Sequence, residues 1–335
     1  MSQSPRIRYL DFLKTIGLMG IILAHVSPPA IIMMARDFDV PLMVIISAIL
    51  AQKSYNKRIQ SGMSIKTYYI SRFKRLVFPT WIFLTIYFVI CAICNETHES
   101  VEYYLYSFGL TRYGIGYVWI ILIYLYCAAL IPLFNKMPFN VKNVVIIIIC
   151  YFAYEIMFYY NIGTQSRFIL STLYYIVPYG TITFIGFHFN SMKTYTKKII
   201  ALTSGIIFIL LMAYYWVSRG IPQLVSIVKY PPRMYYLSYG VFCSFVLLLL
   251  CEKNTNCNKI FEHSIIKFIS SHSMWIYLWH ILAIKVYETL RLPSIWVVKF
   301  IFVFISAIMI VFIENTILDI ICKRSDISFI KYLRG

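Results

Sequence analysis

The sequence predicts an all-α, polytopic membrane bundle of about ten transmembrane helices, and three observations support this fold class. Hydrophobic residues make up 60% of the 335-residue chain and charged residues only 13%, and the mean hydropathy is +0.74. Apolar runs of the length that crosses a bilayer recur along the chain. Basic residues lie in short clusters between these runs, as in membrane loops. We therefore expect the net charge of +18 to orient the chain in a membrane and not to bind nucleic acid.

Ten apolar runs are the candidates for membrane-spanning helices. The first follows Arg8, and we interpret it as a permanent helix because Lys14 interrupts it and no small-residue cleavage pattern follows His25. The second run is short, the third follows a basic connection, and Pro178 interrupts the sixth. The runs lie near residues 8–28, 38–53, 78–95, 116–134, 143–161, 168–189, 199–217, 233–251, 271–290 and 295–318.

Lys and Arg are distributed unevenly between the connections. With the N-terminus in the cytoplasm, 21 of the 31 basic residues fall on cytoplasmic segments, 8 fall outside, and Lys14 and Lys285 lie within helices. This bias favours ten spans with both termini in the cytoplasm. The longest polar connection runs from Lys53 to Lys74, and there is no internal repeat. We therefore expect residues 1–335 to form a single integral-membrane domain with no appended soluble domain.

Three ionisable residues in the first apolar run are the best candidates for a functional site. Lys14 and His25 are eleven residues apart, a rise of roughly 16 Å and about three helical turns, so their side chains share one face. Asp11 falls near the same stripe. Ionisable groups within a membrane segment are costly to bury and usually mark a function. The alternative is that His25 is a hydrogen-bonded imidazole that serves packing alone.

The basic connection before the third run is the second candidate region. Lys66, Arg72, Lys74 and Arg75 alternate with aromatic and aliphatic residues at helical spacing, which predicts a separate interfacial helix. Anionic lipid headgroups explain these charges in one interpretation. In the other, Arg72 and Arg75 lie one turn apart and form a fork for the phosphates of a cytosolic cofactor. The spacing alone is compatible with both.

Tyrosines are numerous at the predicted outer surface and at helix ends. Most of them are expected to anchor the chain at the membrane interface. A minority would stack on sugar rings if the protein binds a glycan. The two clusters are Tyr103, Tyr104 and Tyr106, and Tyr174, Tyr175 and Tyr179.

Five segments in the same order resemble the membrane-bound acyltransferase 3 family. The first carries the pattern of Arg or Lys, ten residues, then His, which Lys14 and His25 match. Two departures from the family pattern are Lys14 where Arg is frequent, and Ala48 where Gly usually follows Ser47. Lys does occur at the first position in the subgroup of sugar O-acetylases. The five segments are Tyr9–His25, Val40–Ser47, Arg72–Arg75, Lys229–Pro232 and Ser273–His280.

The resemblance implies a membrane-bound O-acyltransferase of a bacterial cell membrane. Such an enzyme moves an acyl group, commonly acetyl, from cytosolic acetyl-CoA to a hydroxyl of a cell-surface or lipid-linked glycan. We expect His25 to act as general base, because an imidazole with a pKa near 6.5 suits proton abstraction near neutrality, or to carry the acyl group in a covalent relay. The resemblance also implies the remaining roles. Lys14 and Asp11 would act at the donor, and Arg72, Lys74 and Arg75 would bind its phosphates. Ser47 and His280 are further candidates.

Several alternatives stay open at the level of the sequence. A transporter or flippase for a lipid-linked sugar or small solute also fits a bundle with intramembrane charges and a broken sixth span, although corresponding broken helices in two halves are missing. No metal is expected, since no His and carboxylate set stands at ligand spacing. The carboxylates that we consider as partners orienting His25 are Glu155, Glu314, Asp37 and Asp39.

Overall fold

The computed structural model describes residues 8–94, 99–221, 223–253 and 261–324. All regular elements in these ranges are helical. Both chain termini lie outside them, so the cytoplasmic location of the termini stays a prediction. The helices are α1 (Arg8–Ala24), α2 (Ala30–Arg36), α3 (Asp39–Gln60), α4 (Ile65–Ile93), α5 (Val101–Phe108), α6 (Trp119–Lys136), α7 (Val141–Tyr159), α8 (Arg167–Ser171), α9 (Leu173–His188), α10 (Thr194–Arg219), α11 (Met234–Lys253), α12 (Ser264–Ser271), α13 (Ser273–Thr289) and α14 (Trp296–Arg324).

The predicted all-helical membrane fold is confirmed, and each of the ten apolar runs corresponds to one of the longer helices. Among the described residues, seven helical segments are long and apolar enough to cross a membrane. The other three long helices are α1 and α13, which have only 17 residues each, and α3, whose last third is polar. Ten spans therefore remain a prediction, while the seven helices have the length and composition of a multi-pass membrane protein.

The region of α4 differs from the sequence prediction. The basic segment and the third apolar run do not form two helices but one continuous helix of 29 residues, about 43 Å long at 1.5 Å per residue. Ser64 caps its N-terminus by accepting a hydrogen bond from the Thr67 N–H at 3.2 Å, as N-cap serines do. The helix continues without a break from Arg75 into the apolar half, and it accommodates Pro79 in its interior. The basic residues are therefore held rigidly relative to the bundle.

Helix α3 lies at the centre of the bundle, and small residues on its neighbours allow the close approach. A Cβ added to Gly20 of α1 would lie 2.9 Å from the Asp39 Cβ, and one added to Gly17 would lie 2.6 Å from the Met43 Cγ. On the opposite side, a Cβ on Gly186 of α9 would lie 2.8 Å from the Ile45 carbonyl oxygen. These contacts fix α1 against α3, and with it the relative positions of the polar residues that both helices carry.

The periphery of the bundle is apolar. Helices α7, α10 and α14 expose large aliphatic and aromatic side chains along most of their length, a surface that in water would be strongly unfavourable. The buried polar side chains lie instead on the inward faces of several helices and at helix ends; those within helices include Thr15, Thr80, Thr183, Ser244 and His280. This distribution suits a lipid environment and confines the candidate chemistry to the interior.

Candidate active site

A large cavity opens at the Lys14 end of α1 and extends into the bundle. Its volume is about 660 Å³, within the range of sites that hold small molecules and cofactors. Helices α1, α3, α4, α6, α9 and α13 supply its walls. Four cationic side chains line it: Lys14, Arg58, Arg72 and Arg75.

The predicted phosphate-binding residues separate into two groups. Arg72 and Arg75 line the cavity, whereas Lys74 is exposed and lies on a different face of α4, beside a shallow apolar groove. One residue along a helix rotates a side chain by about 100°, so neighbours of Arg75 do not share its direction. Of the three residues that we predicted for the cofactor, the cavity brings together only the two arginines, and it adds Arg58 from α3.

Hydroxyl groups and an aromatic ring contact two of the arginines at the cavity mouth. Arg72 lies over the Tyr68 ring at 5.2 Å and donates to the Ser54 hydroxyl at 3.4 Å. Arg58 donates to the Ser71 hydroxyl at 3.3 Å. The Arg72 Nε is buried and donates no hydrogen bond to the described part of the chain. Guanidinium N–H groups that are positioned but not neutralised by carboxylates are suited to bind phosphate.

Lys14 and Asp11 are joined through α12, a connection that the sequence did not indicate. The Lys14 ammonium donates to the Ser270 carbonyl oxygen at 2.7 Å, and the Ser270 hydroxyl donates to Asp11 Oδ1 at 2.6 Å. Ser270 is only 2% exposed. The shared stripe of Asp11 and Lys14 on α1 is thus confirmed, with one buried serine fixing both side chains at the cavity mouth.

His25 lies just beyond the last turn of α1, at the opposite end from Lys14. Its Nδ1 is 2.9 Å from Nε2 of His280 on α13, and the two rings stack with centroids 5.1 Å apart. The edge of the Tyr117 ring packs on His25 at 4.8 Å. The structure therefore pairs two histidines that are 255 residues apart in the chain.

The hydrogen bonds of His280 define the tautomers of the pair. His280 Nδ1 lies against the backbone carbonyl oxygen of Tyr277, which only accepts, so Nδ1 carries the proton. In the neutral ring, His280 Nε2 is then the acceptor, and His25 must donate through Nδ1–H. The lone pair of His25 consequently resides on Nε2, which is the atom available as a base.

The cavity extends to within about one helical turn of each histidine, although neither His25 nor His280 lines it. Ile21, one turn before His25, and Tyr277, one turn before His280, both line the cavity. The Tyr277 hydroxyl donates to the Tyr117 carbonyl oxygen at 2.5 Å, which ties α13 to the residue that packs on His25. Lys14 lines the cavity itself, and His25 lies about one turn of α1 beyond its last lining residue on that helix, Ile21. Ser47 lines the same cavity, together with Tyr124, Cys127 and Thr183.

The four carboxylates considered as partners of His25 each have another partner. Glu155 accepts from Arg233 Nε at 2.5 Å, and Glu314 accepts from Trp279 Nε1 at 2.9 Å. Asp37 and Asp39 belong to a separate buried ion cluster. The hydrogen bond from His25 Nδ1–H is accepted by the imidazole of His280 and not by a carboxylate. The expectation that one of these four carboxylates orients His25 through this hydrogen bond is therefore wrong.

The ion cluster lies at the His25 end and contains two cations and two anions. Arg36 contacts Asp37 at 2.9 Å and Asp39 at 2.5 Å, and Lys229 lies 3.7 and 3.8 Å from the same two carboxylates. All four side chains are at most 8% exposed. Burial lowers the pKa of Lys229 and raises that of Asp37, and the opposite charges nearby counteract both shifts. The cluster ties the start of α3 to the segment between α10 and α11.

Sequence reasoning missed several residues that complete the site. Arg58 lies in the long basic run before α4, and its spacing from the other basic residues did not mark it as a candidate. Ser270 and Tyr117 carry no motif at all. Lys229 lies in one of the five segments that resemble the family, but the sequence gave it no role. Within the described ranges, no group of three or more His, Cys, Asp or Glu residues is arranged to hold a metal ion.

Comparison with known families agrees with this geometry. A family model described as an acyltransferase domain matches residues 7–313, which includes the cavity, both histidines and the ion cluster. No curated protein and no solved structure gave a significant match to the chain. The match covers most of the chain in one piece, and the chain belongs to the membrane acyltransferase 3 family.

Proposed function

We propose that this acyltransferase is an O-acetyltransferase that moves an acetyl group from cytosolic acetyl-CoA to a hydroxyl of a cell-surface or lipid-linked glycan. One observation carries the proposal. A cavity lined by four cations extends to within about one helical turn of a histidine pair whose free nitrogen is a base. Cations at one end suit a phosphorylated donor, and the imidazole at the other suits a hydroxyl acceptor.

The donor would enter from the Lys14 end, which we assign to the cytosol of a bacterial cell. Its phosphates would contact Arg58, Arg72 and Arg75, and Lys14 would neutralise further negative charge while Asp11 and Ser270 hold it in place. The flexible arm of the coenzyme would follow the cavity toward Tyr277. The thioester would then lie near His25, about three helical turns from Lys14.

The proposed reaction is a direct acyl transfer. His25 Nε2 takes the proton of the acceptor hydroxyl while the hydroxyl oxygen attacks the thioester carbonyl carbon, forming the new C–O bond. The tetrahedral intermediate expels the coenzyme by cleavage of the C–S bond. The departing thiolate takes the proton from the imidazolium, which leaves free coenzyme and an ester. His280 accepts the Nδ1–H of His25 throughout and favours the imidazolium when it forms.

The test uses the purified protein in lipid nanodiscs with labelled acetyl-CoA and a panel of glycan acceptors. Replacing His25 by Ala is expected to lower transfer by about 10²- to 10⁴-fold, the usual contribution of a general base, with unchanged acetyl-CoA affinity. The matched control is His263→Asn, because His263 is exposed and Asn retains its N-cap interaction with the Ile265 N–H. Full activity of His25→Ala would refute the proposal.

The second candidate is transport, and the same material separates the two functions. Vesicles containing the protein and a labelled lipid-linked sugar would show counterflow without chemical change if the protein is a flippase. Acetylated product in the vesicles supports the transferase instead. Mass spectrometry of surface glycans from a strain with and without the gene would then identify the acceptor.

A further inference from the structure

A cluster of arginines and tyrosines lies at the His25 end, outside the site described above. The guanidinium carbons of Arg112 and Arg167 lie 5.8 and 5.5 Å from the centre of the same ring, that of Tyr113. Arg112 also lies 5.4 Å from the ring of Tyr230. Arg167 lies 5.6 Å from the ring of Tyr106 and donates to its hydroxyl at 2.9 Å. We call these five residues the arginine–tyrosine cluster.

The loop that presents Arg112 and Tyr113 is rigid. The Ile115 N–H donates to the hydroxyl of buried Ser107 at 2.9 Å. Gly114 packs so closely on Ser107 that an added Cβ would lie 2.3 Å from that hydroxyl oxygen. A fixed loop holds Arg112 and Tyr113 in place before any ligand binds, which lowers the entropy cost of binding.

The cluster is continuous with the histidine pair. Tyr230 packs edge-on against Trp119 with ring centroids 5.1 Å apart. Trp119 begins α6, two residues after Tyr117, whose ring contacts His25 at 4.8 Å. These contacts link the cluster through Tyr230 and Trp119 to the residue whose ring packs on His25.

The charge of the cluster is not balanced by its neighbours. In the part of the chain that the structure describes, no carboxylate lies within ion-pair distance of Arg112. Arg167 has Glu102 at 3.9 Å, but both side chains are more than half exposed, and such pairs contribute little. A guanidinium has five N–H donors, so an arginine that lies over a ring and donates to one tyrosine hydroxyl retains further donors for carboxylate or phosphate oxygens.

We propose that the arginine–tyrosine cluster binds an anionic group of the acceptor glycan, with the tyrosine rings stacking on its sugars. The inference rests on the proposed function and adds the class of acceptor, which is a glycan with carboxylate or phosphate groups. The link from the cluster through Trp119 to Tyr117 places it on the side of the bundle that holds the base, which favours an acceptor over an anionic lipid headgroup.

The experiment uses the full chain in nanodiscs of zwitterionic lipid and three oligosaccharides of equal length. One is built of uronic acids, one of sugar phosphates and one of uncharged glucose. Acetyl transfer from acetyl-CoA is measured to each, and binding of each is measured separately by calorimetry without acetyl-CoA. The stronger of the two charged oligosaccharides identifies the anion that the cluster prefers.

The variant R112Q/R167Q is expected to lose about tenfold or more in affinity and in KM for the charged oligosaccharides, as charge-assisted hydrogen bonds are lost. Its affinity for acetyl-CoA and for the uncharged oligosaccharide should not change. The matched control is R291Q, which removes an exposed arginine at the same end of the bundle. Equal effects of the double variant on all three oligosaccharides would overturn the inference.

Two further outcomes separate the inference from the proposed function. Binding of a charged oligosaccharide that depends on the arginines, without any transfer by the wild type, supports the cluster and rejects the O-acetyltransferase. Transfer that is independent of acceptor charge rejects the cluster and supports the O-acetyltransferase. An effect of R112Q/R167Q that is present only in nanodiscs with anionic lipid assigns the cluster to headgroups and also overturns the inference.

Discussion

The two ends of α1 hold their charged side chains in different ways. At the Lys14 end, four cations line an open cavity and are held mainly by hydroxyls, a ring and a backbone carbonyl. At the His25 end, the buried cations Arg36 and Lys229 are matched by two carboxylates within 4 Å, and the histidines pair with each other. A cation held by hydroxyl and carbonyl groups is tolerable where water or a ligand reaches it, whereas a cation must be paired with a carboxylate where neither does.

In the proposed function, the two ends divide the work. The Lys14 end would receive the anionic groups of the donor and contribute to binding. The His25 end is fixed by close packing and by paired charges and would contribute the geometry of the base. Variants of the two ends should therefore affect different quantities, with stability and turnover at the His25 end and donor affinity at the Lys14 end.

The largest effect is expected from breaking the buried ion cluster. Lys229→Met leaves two buried carboxylates with Arg36 alone, and removal of one partner of a buried charge network costs about 3–5 kcal/mol. Thermal unfolding in nanodiscs should show this as a strongly lowered midpoint. The additional change Asp37→Asn should recover part of the loss. An unchanged midpoint in K229M would mean that the cluster is hydrated and that the two ends do not differ.

The next effect is expected at His280, a positioning residue that acts through His25. In His280→Ala, His25 loses the acceptor that fixes its tautomer, and kcat should fall by about 10²-fold, less than for loss of the base itself. The KM for acetyl-CoA should not change. His280→Gln offers an amide oxygen near the position of Nε2 and should restore part of kcat. A variant H280A that raises KM at constant kcat would instead place His280 in donor binding.

A moderate effect is expected from the cations at the cavity mouth. Arg75→Gln should raise the KM for acetyl-CoA about tenfold through loss of a charge-assisted contact with phosphate, with little change in kcat. Lys74→Gln is the matched control, because this neighbouring cation lies on another face of α4. Steady-state kinetics at low and high salt measure both. Equal effects of R75Q and K74Q would indicate a diffuse surface potential and not a phosphate site.

The sequence predicted what depends on local periodicity and missed what depends on tertiary contacts. Helical spacing placed Asp11 and Lys14 on one stripe, and hydropathy located the ten long helices. The partner of His25 is 255 residues away, and no pattern within a helix indicates which distant side chain will meet it. The position of Lys74 outside the cavity was missed for a related reason, since a basic run gives the charges of a segment but not the face that turns toward the cavity.

The smallest effect is expected from the serine that links Asp11 to Lys14. Ser270→Ala removes the hydroxyl that donates to Asp11, but Lys14 donates to the backbone carbonyl of residue 270, which the substitution retains. Loss of one hydrogen bond of about 1 kcal/mol corresponds to about a fivefold change, expected in the KM for acetyl-CoA. Ser204→Ala, which removes a similar hydroxyl bond on α10, should leave KM unchanged. A loss of kcat by more than tenfold in S270A would show that Asp11 takes part in the chemical step, and the division of work between the two ends of α1 would then be wrong.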